Sequence, residues 1–340
     1  MSTAAAAARA LSDPSPAKLP RWRGFNLLEK FMTGHFKGRF LESDFDVIAE
    51  WGFDFVRLPC SYWFWSKPEP DKWLEIDEGP IRDIDGAIEM GRARGIHVNL
   101  NLHRAPGFCV SAVPEPLSLW DDERALEACA HHWRFFAGRY KGIPSTQLSF
   151  NLLNEPPDID EARYLKVHTR LIAAIREVDP DRLIIADGLR WGNAPVAGLV
   201  GQRVGISTRG YTPMQVSHYR ANWVKGSDAW PAPTWPLAAP EHWDKARLRR
   251  ERIEPFKKLE AAGVGVHVGE WGAHQNTPHD VALAWMADCL DLWRDAGWGW
   301  ALWNLRGSFG VMDSGRSDVL YEAFRGHKLD RKMLELIRSG

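Results

Sequence analysis

Along the chain, short apolar runs that end on polar or aromatic side chains alternate with longer stretches whose apolar residues recur every third or fourth position. The runs fall at Gly24–Leu27, Phe53–Leu58, His97–Leu102, Leu148–Leu153, Leu183–Ala186, Met214–Ser217, Val264–Val268 and Gly299–Trp303. Short runs of this kind predict strands buried on both faces, as in a parallel sheet. Between them, Glu42–Glu50 spaces Phe45, Ile48 and Ala49 along one helical face, and Arg124–Tyr140 does the same with Leu126, Cys129, Trp133, Phe136 and Tyr140. Tyr164–Val178 repeats the pattern; Asp121 or Asp122 is placed to cap the second helix, and Asp179-Pro180 stops the third.

Eight strands separated by helical segments, with no break in composition, predict a single-domain α/β protein: a (β/α)8 TIM barrel over residues 21–340. An open doubly wound sheet is the alternative. Neither a Gly-x-Gly-x-x-Gly after the first strand nor a Gly-x-x-x-x-Gly-Lys-Ser/Thr occurs, so no dinucleotide or nucleotide phosphate site is signalled. The long Pro- and Trp-rich segment Tyr219–Trp243 is expected over the barrel mouth, because long loops are usually functional.

The strand ends carry the chemistry. Arg57 ends the second run, His103 the third, Asn154-Glu155 the fourth, His218-Tyr219 the sixth, Glu270 the seventh and Trp303 the eighth. In a barrel such ends converge on one face. Singly, each has a structural explanation: an Arg in a salt bridge, a satisfied His, a core Trp. Two carboxylates facing one another across a barrel are harder to explain without a use, and glycoside hydrolysis needs such a pair. Retention calls for carboxyl groups about 5–5.5 Å apart, and glutamates leaning inward from the fourth and seventh strands suit that spacing.

Composition narrows the partner. The chain has 43 basic against 44 acidic residues, so no net field favours nucleic acid or an anionic membrane. A neutral substrate fits better, and 18 Trp exceed what a core needs, so some indoles are expected in a groove. Trp63, Trp65, Trp120, Trp191, Trp223, Trp230 and Trp235 fall in or near loops that follow strands. The four cysteines have no spacing of a zinc site or disulfide framework and read as reduced, buried thiols. Neither His131-His132 nor His267 with His274 has a coherent third ligand, so no metal and no cofactor is expected. No run approaches the roughly twenty apolar residues of a membrane span. The Ala-rich, then Pro-rich residues 1–20 read as a disordered leader that fits a secretory signal poorly. The compartment stays open: cytoplasmic as the sequence stands, with export through an atypical leader the alternative.

Phe-Val-Arg-Leu-Pro at the second strand, Leu-His-Arg-Ala-Pro-Gly at the third, Leu-Leu-Asn-Glu-Pro at the fourth, Val-Gly-Glu-Trp-Gly at the seventh and Ala-Leu-Trp-Asn at the eighth together resemble glycoside hydrolase family 5. The resemblance runs from about Gly24 to Asp313. It implies a retaining β-glycosidase with Glu155 as acid/base, Glu270 as nucleophile and Asn154 on the sugar 2-hydroxyl. His103 and His218 would bind hydroxyls or orient the carboxylates, Tyr219 would donate to the nucleophile, and Trp303 would stack under the sugar. The family commonly has His-x-Tyr at the sixth strand, whereas Ser217-His218-Tyr219-Arg220 aligns only one of the two. Trp271 stands where Phe is more usual, facing either sugar or core. The expected partner is an oligo- or polysaccharide and the expected state a monomer. An endo-β-1,4-glucanase comes first, then a β-mannanase, an exo-acting β-glucosidase or β-1,3-glucanase, a transglycosylase, or a barrel that binds glycan without cleaving it.

Overall fold

The computed structural model describes residues 11–34, 38–111 and 113–340. Eight parallel strands form the barrel: β1 Arg23–Asn26, β2 Phe55–Ser61, β3 His97–Ala105, β4 Leu148–Asn151, β5 Ile184–Asp187, β6 Gly205–Gly210, β7 Val266–Trp271 and β8 Gly299–Leu302. Each pairs with its neighbours, and β1 pairs with β8 in the register Gly24↔Ala301, which closes the ring. On its other side Gly24 pairs with Phe55 of β2, and a side chain there would lie 1.7 Å from the Phe55 carbonyl oxygen, so only glycine fits.

Helices α1 Glu42–Glu50, α2 Glu78–Arg94, α3 Glu123–Arg139, α4 Glu161–Arg176, α5 Glu254–Ala261, α6 His279–Ala296 and α7 Arg331–Ser339 lie outside the barrel. Asp122 caps α3 by accepting from the Arg124 N–H, the second of the two acidic residues offered for that role. The main apolar core lies between barrel and helices, where Val56, Leu58, Val98, Leu100, Phe150, Ile184, Ile206, Val268 and Trp300 meet the helix faces. A second, small cluster of Leu19, Trp22, Phe55, Leu183, Ile185 and Ala301 fills the end of the barrel where the strands begin. Above it the buried residues turn polar: Asn26, Arg57, Asn99, Asn101, Ser149, Asn151, Asp187, Ser207 and Arg209.

Two expectations need correction. The sixth strand is Gly205–Gly210, and Met214–Ser217 is a helical turn that starts behind Pro213, with the His218 N–H donating to the Met214 carbonyl. Alternating Ser207 and Arg209 inward with Ile206 and Thr208 breaks the apolar run that marks the other strands, while Met214 and Val216 mimic one. The leader expected over residues 1–20 also differs in its last part. Pro16 accepts from the Gly265 N–H at 2.7 Å, and Leu19 is buried in the cluster that plugs the barrel. Residues 1–10 lie outside the described part of the chain. No described helix is long and apolar enough to cross a membrane.

Candidate active site

Glu270 reaches the mouth of the barrel because β7 bulges. Thr208 pairs with Val268 and Arg209 with Glu270, so Gly269 is an extra residue that re-aims the carboxylate. A side chain on Gly269 would lie 2.3 Å from Ser207 Oγ and 3.1 Å from Arg209 Nη1, which is why the bulge carries glycine. Arg57 Nη1 donates to Glu270 Oε1 at 2.5 Å, and Arg209 Nη2 lies 3.3 Å from the same oxygen. The Tyr211 hydroxyl donates to Oε2 at 3.2 Å. Two cations and a phenol thus meet one buried carboxylate. Burial, with the Glu270 charge next, holds the Tyr211 hydroxyl protonated far above the usual phenol range.

Glu155 follows β4 with φ +52, a left-handed backbone that an ordinary residue adopts at a cost of about 1 kcal/mol. Two contacts hold that turn. The Glu155 N–H donates to Asp187 Oδ2 at 2.9 Å, and Arg209 Nε donates to Glu155 Oε1 at 3.0 Å. Its side chain is 17% exposed, open only toward the mouth. Burial, and after it the charge of Glu270, pushes the Glu155 carboxyl up to about 7, while Arg209 pulls it down.

Asn154 ties the two carboxylates together. Its Oδ1 accepts from Arg57 Nη2 at 2.9 Å and Arg209 Nη2 at 2.8 Å, and its Nδ2 lies 3.3 Å from His103 Nε2. Burial, then the charges of Arg57 and Arg209, drives His103 well below the usual imidazole range, so its ring is neutral and Nε2 accepts from the amide. His103 stacks on Trp303 at 5.6 Å, and Phe31 meets both rings edge-on. Arg57, His103, Asn154, Glu155, Glu270 and Trp303 therefore come together.

His218 and Tyr219 do not join them in the expected way. Both follow the helical turn instead of β6. His218 bonds Ser217 and packs edge-on against Tyr211 at 4.9 Å, one ring removed from Glu270. Tyr219 is buried, with Arg220 over its ring. The phenol on Glu270 comes from Tyr211, so the sixth-strand tripeptide is Arg209-Gly210-Tyr211, with Arg where the family pattern has His. Trp271 faces the core against Trp285, Trp293 and Trp300. Among the loop indoles, Trp65 and Trp120 are buried, whereas Trp191 and Trp223 are 46% and 58% exposed. Trp191 lies beside the loop that follows β4, its backbone N–H donating to the Pro156 carbonyl at 2.8 Å. Trp223 stands by His274 and Phe309, so the Tyr219–Trp243 segment reaches the mouth at its start, while Trp235 anchors to Asp288 on α6.

Three buried polar residues escaped the sequence reading: Asn151, Asp187 and Arg209. Asp187 Oδ1 accepts from Asn151 Nδ2 at 2.9 Å, Oδ2 pairs with Arg209 Nη2, and Asn151 Oδ1 accepts from Arg57 Nε at 2.9 Å. The signal available was the strand-end rule itself, since Asp187 ends β5 and Arg209 is next to last in β6. Among the described residues, no group of three or more His, Cys, Asp or Glu side chains is placed to hold a metal ion.

The same relationship emerges from comparison with known proteins. The cellulase (glycosyl hydrolase family 5) profile matches residues 15–308. Endoglucanase C of Acetivibrio thermocellus is 24% identical over 322 residues, covering 86% of this chain and 92% of its own. Cellodextrinase A of Ruminococcus flavefaciens is 27% identical over 255 residues, 72% of each. A solved structure of a glycoside hydrolase superposes with a TM-score of 0.88 at 38% identity, over 94% of this chain and 99% of that one. With a profile that spans the barrel and a ring of strand-end carboxylates, arginines and indoles at its mouth, the chain belongs to glycoside hydrolase family 5 and is an O-glycosyl hydrolase.

Proposed function

We propose that this enzyme cleaves internal β-1,4 bonds of a glucan chain with retention of configuration, with Glu270 as nucleophile and Glu155 as acid/base. The observation that carries the reading is the unequal treatment of two neighbouring carboxyl groups that share one guanidinium, Arg209. Sharing favours the closer of the two spacings that distinguish retaining from inverting enzymes. Glu270 accepts from Arg57 and Tyr211, contacts that suit a carboxylate. Glu155, raised to about 7 by burial and the Glu270 charge, keeps its proton near neutrality as an acid must.

In the first half-reaction Glu270 Oε bonds to the anomeric carbon, the glycosidic bond breaks, and the leaving oxygen takes the Glu155 proton. In the second, Glu155 takes a proton from water, the hydroxide adds to the anomeric carbon, and the Glu270 carboxylate leaves. Trp303 offers its face to a pyranose whose equatorial ring presents C–H groups. Exposed Trp191 and Trp223 suit an extended chain of such rings beyond the cleavage point. The relative named an endoglucanase, which this chain covers almost throughout, supports the endo-glucanase choice.

Proton NMR of the first product formed from a β-glucan tests the mechanism. The β-anomer should come first and mutarotate; the α-anomer appearing first would overturn retention. Assays on carboxymethyl-cellulose, mixed-linkage glucan, glucomannan and aryl glucosides test the substrate. Highest kcat/KM on glucomannan would replace the glucanase reading with a mannanase, and longer oligosaccharides accumulating with excess acceptor would make the enzyme a transglycosylase. If Glu270→Ala kept wild-type activity on any substrate cleaved, the nucleophile assignment would fail.

A further inference from the structure

Arg209 is built into the site more completely than a substrate-binding residue would be. A guanidinium has five N–H donors. Here Nε goes to Glu155 Oε1 at 3.0 Å, Nη1 to Ser207 Oγ at 3.0 Å and the Thr208 carbonyl at 3.3 Å, and Nη2 to Asn154 Oδ1 at 2.8 Å and to Asp187 Oδ2. None is left for a sugar hydroxyl. Two glycines clear the space: a side chain on Gly192, at φ +75, would lie 2.7 Å from Arg209 Cγ, and one on Gly269 would lie 3.1 Å from Nη1. The group is buried, held from β5, β6 and the segment after β4, and cannot swing without breaking this ring.

Its position relative to charge is the informative part. Around Glu155 and Glu270 stand Arg209, Asp187, Tyr211, Arg57 and, beyond Asn154, His103, with Tyr211 and His103 neutral. Two arginines therefore face three carboxyl groups, and the cluster balances when two of the three are ionised. Before the reaction those two are Asp187 and Glu270. In the glycosyl-enzyme Glu270 is an uncharged ester and Glu155 has given its proton to the leaving group, so the two are Asp187 and Glu155. The negative charge moves from one glutamate to the other, and Arg209 already touches both, at 3.3 Å and 3.0 Å.

We propose that Arg209, locked by Asp187, is a positioning residue that serves as a stationary counter-ion for both half-reactions, stabilising the ionised acid/base in the glycosyl-enzyme without moving. This rests on the proposed roles of Glu155 and Glu270. Its consequence is opposite behaviour of two substitutions. Arg209→Gln removes the cation, so Glu155 ionises at higher pH and the alkaline limb of kcat/KM moves up by about 1 pH unit or more. Asp187→Asn removes an anion, so the limb moves down by a similar amount.

The test measures pH profiles of kcat/KM for the purified wild-type enzyme, Arg209→Gln, Arg209→Lys and Asp187→Asn on cellotetraose, whose leaving oxygen needs the Glu155 proton, and kcat on 2,4-dinitrophenyl β-cellobioside, whose leaving group does not. On the dinitrophenyl substrate deglycosylation limits turnover, and because a shift of about 1 pH unit lowers the ionised fraction of Glu155 about tenfold on the acid side, kcat of Arg209→Gln should fall there by about 10-fold, and KM with it as the ester accumulates. Azide, which attacks without a base, should restore turnover. Arg209→Lys, which keeps the charge, should leave the limb near wild type and remains informative if the Gln variant does not fold. Shifts of Arg209→Gln and Asp187→Asn in the same direction, absence of azide rescue, or a displaced limb in Arg209→Lys would overturn the proposal. A 2-fluoro-cellobioside separates the two levels: an adduct on wild-type Glu270 with unmoved limbs refutes only the role of Arg209, whereas no adduct on Glu270 refutes the nucleophile beneath it.

Discussion

Replacing Glu155 by Gln should stabilise the folded enzyme in alkaline solution, by an amount set by the environment of that carboxyl. Burial raises Glu155 from 4.5 to about 7, a rise of about 2.5 units, equivalent to about 3 kcal/mol at full development. The sign follows from proton binding. Below pH 4.5 both the folded and the unfolded chain hold the proton, and the group contributes no pH dependence. Between 4.5 and about 7 the unfolded chain releases it while the folded one keeps it, so wild-type stability falls as pH rises. Above about 7 the loss saturates. Gln keeps the hydrogen bond from Arg209 Nε and has no proton to lose. Urea unfolding of both proteins at pH 5 and pH 8.5 should therefore give a stability difference that grows by about 2 kcal/mol in favour of Glu155→Gln. Parallel stability curves across that interval, or a difference growing the other way, would refute the claim that burial keeps this carboxyl protonated.

Other outcomes follow from neighbouring contacts. Tyr211→Phe deletes a hydrogen bond to a buried carboxylate, about 1.5–3 kcal/mol in kind, and should lower kcat/KM by about 10- to 100-fold, while Tyr219→Phe stays within about twofold; equal losses would return the phenol role to Tyr219. The His103 ring, driven well below 6.5 by burial and by Arg57, Arg209 and Arg104, should show no titration between pH 5 and 8 in 15N NMR of the labelled imidazole, and a midpoint inside that range would contradict its assignment as a neutral acceptor. Gly269→Ala forces its methyl against Ser207 Oγ and should cost about 1–3 kcal/mol in urea unfolding, with part recovered when Ser207→Gly is added; an unrecovered loss would point to the backbone instead.

The barrel was legible because seven of its strands carry apolar runs whose outward residues pack on helices, and because motifs such as Asn154-Glu155-Pro156 punctuate their ends. β6 was not. Its inward positions are Ser207 and Arg209, polar because they face Asp187, Asn154 and the two glutamates, so the strand most involved in holding the site lost the pattern that identifies a strand. Met214 and Val216 supplied a false run that begins four residues after β6 ends, and the His-Tyr pair behind it drew the phenol role to Tyr219. Asp187 was invisible for a related reason. A single acid after an apolar run reads as the start of a turn, and only the paired Arg209 gives it meaning. Trp271 shows the limit for aromatics: adjacent to Glu270 in sequence, it points to the opposite face of the strand, into the core.

The polar ring at the barrel mouth also has a consequence for how the chain folds. Arg57 meets Asn151 94 residues away, Asn154 97 residues away and Glu270 213 residues away. A partly assembled sheet holding β1–β4 would bury the Arg57 cation with amides but without its carboxylate, an arrangement costing roughly 3–5 kcal/mol when a buried pair loses one member. Half-barrels are thereby disfavoured, and the last strands are drawn in by the charges the first ones leave uncompensated. The buried charges at the barrel mouth thus act as a latch on ring closure, so truncations and circular permutations that separate β2 from β7 should lose cooperativity in unfolding before they lose secondary structure.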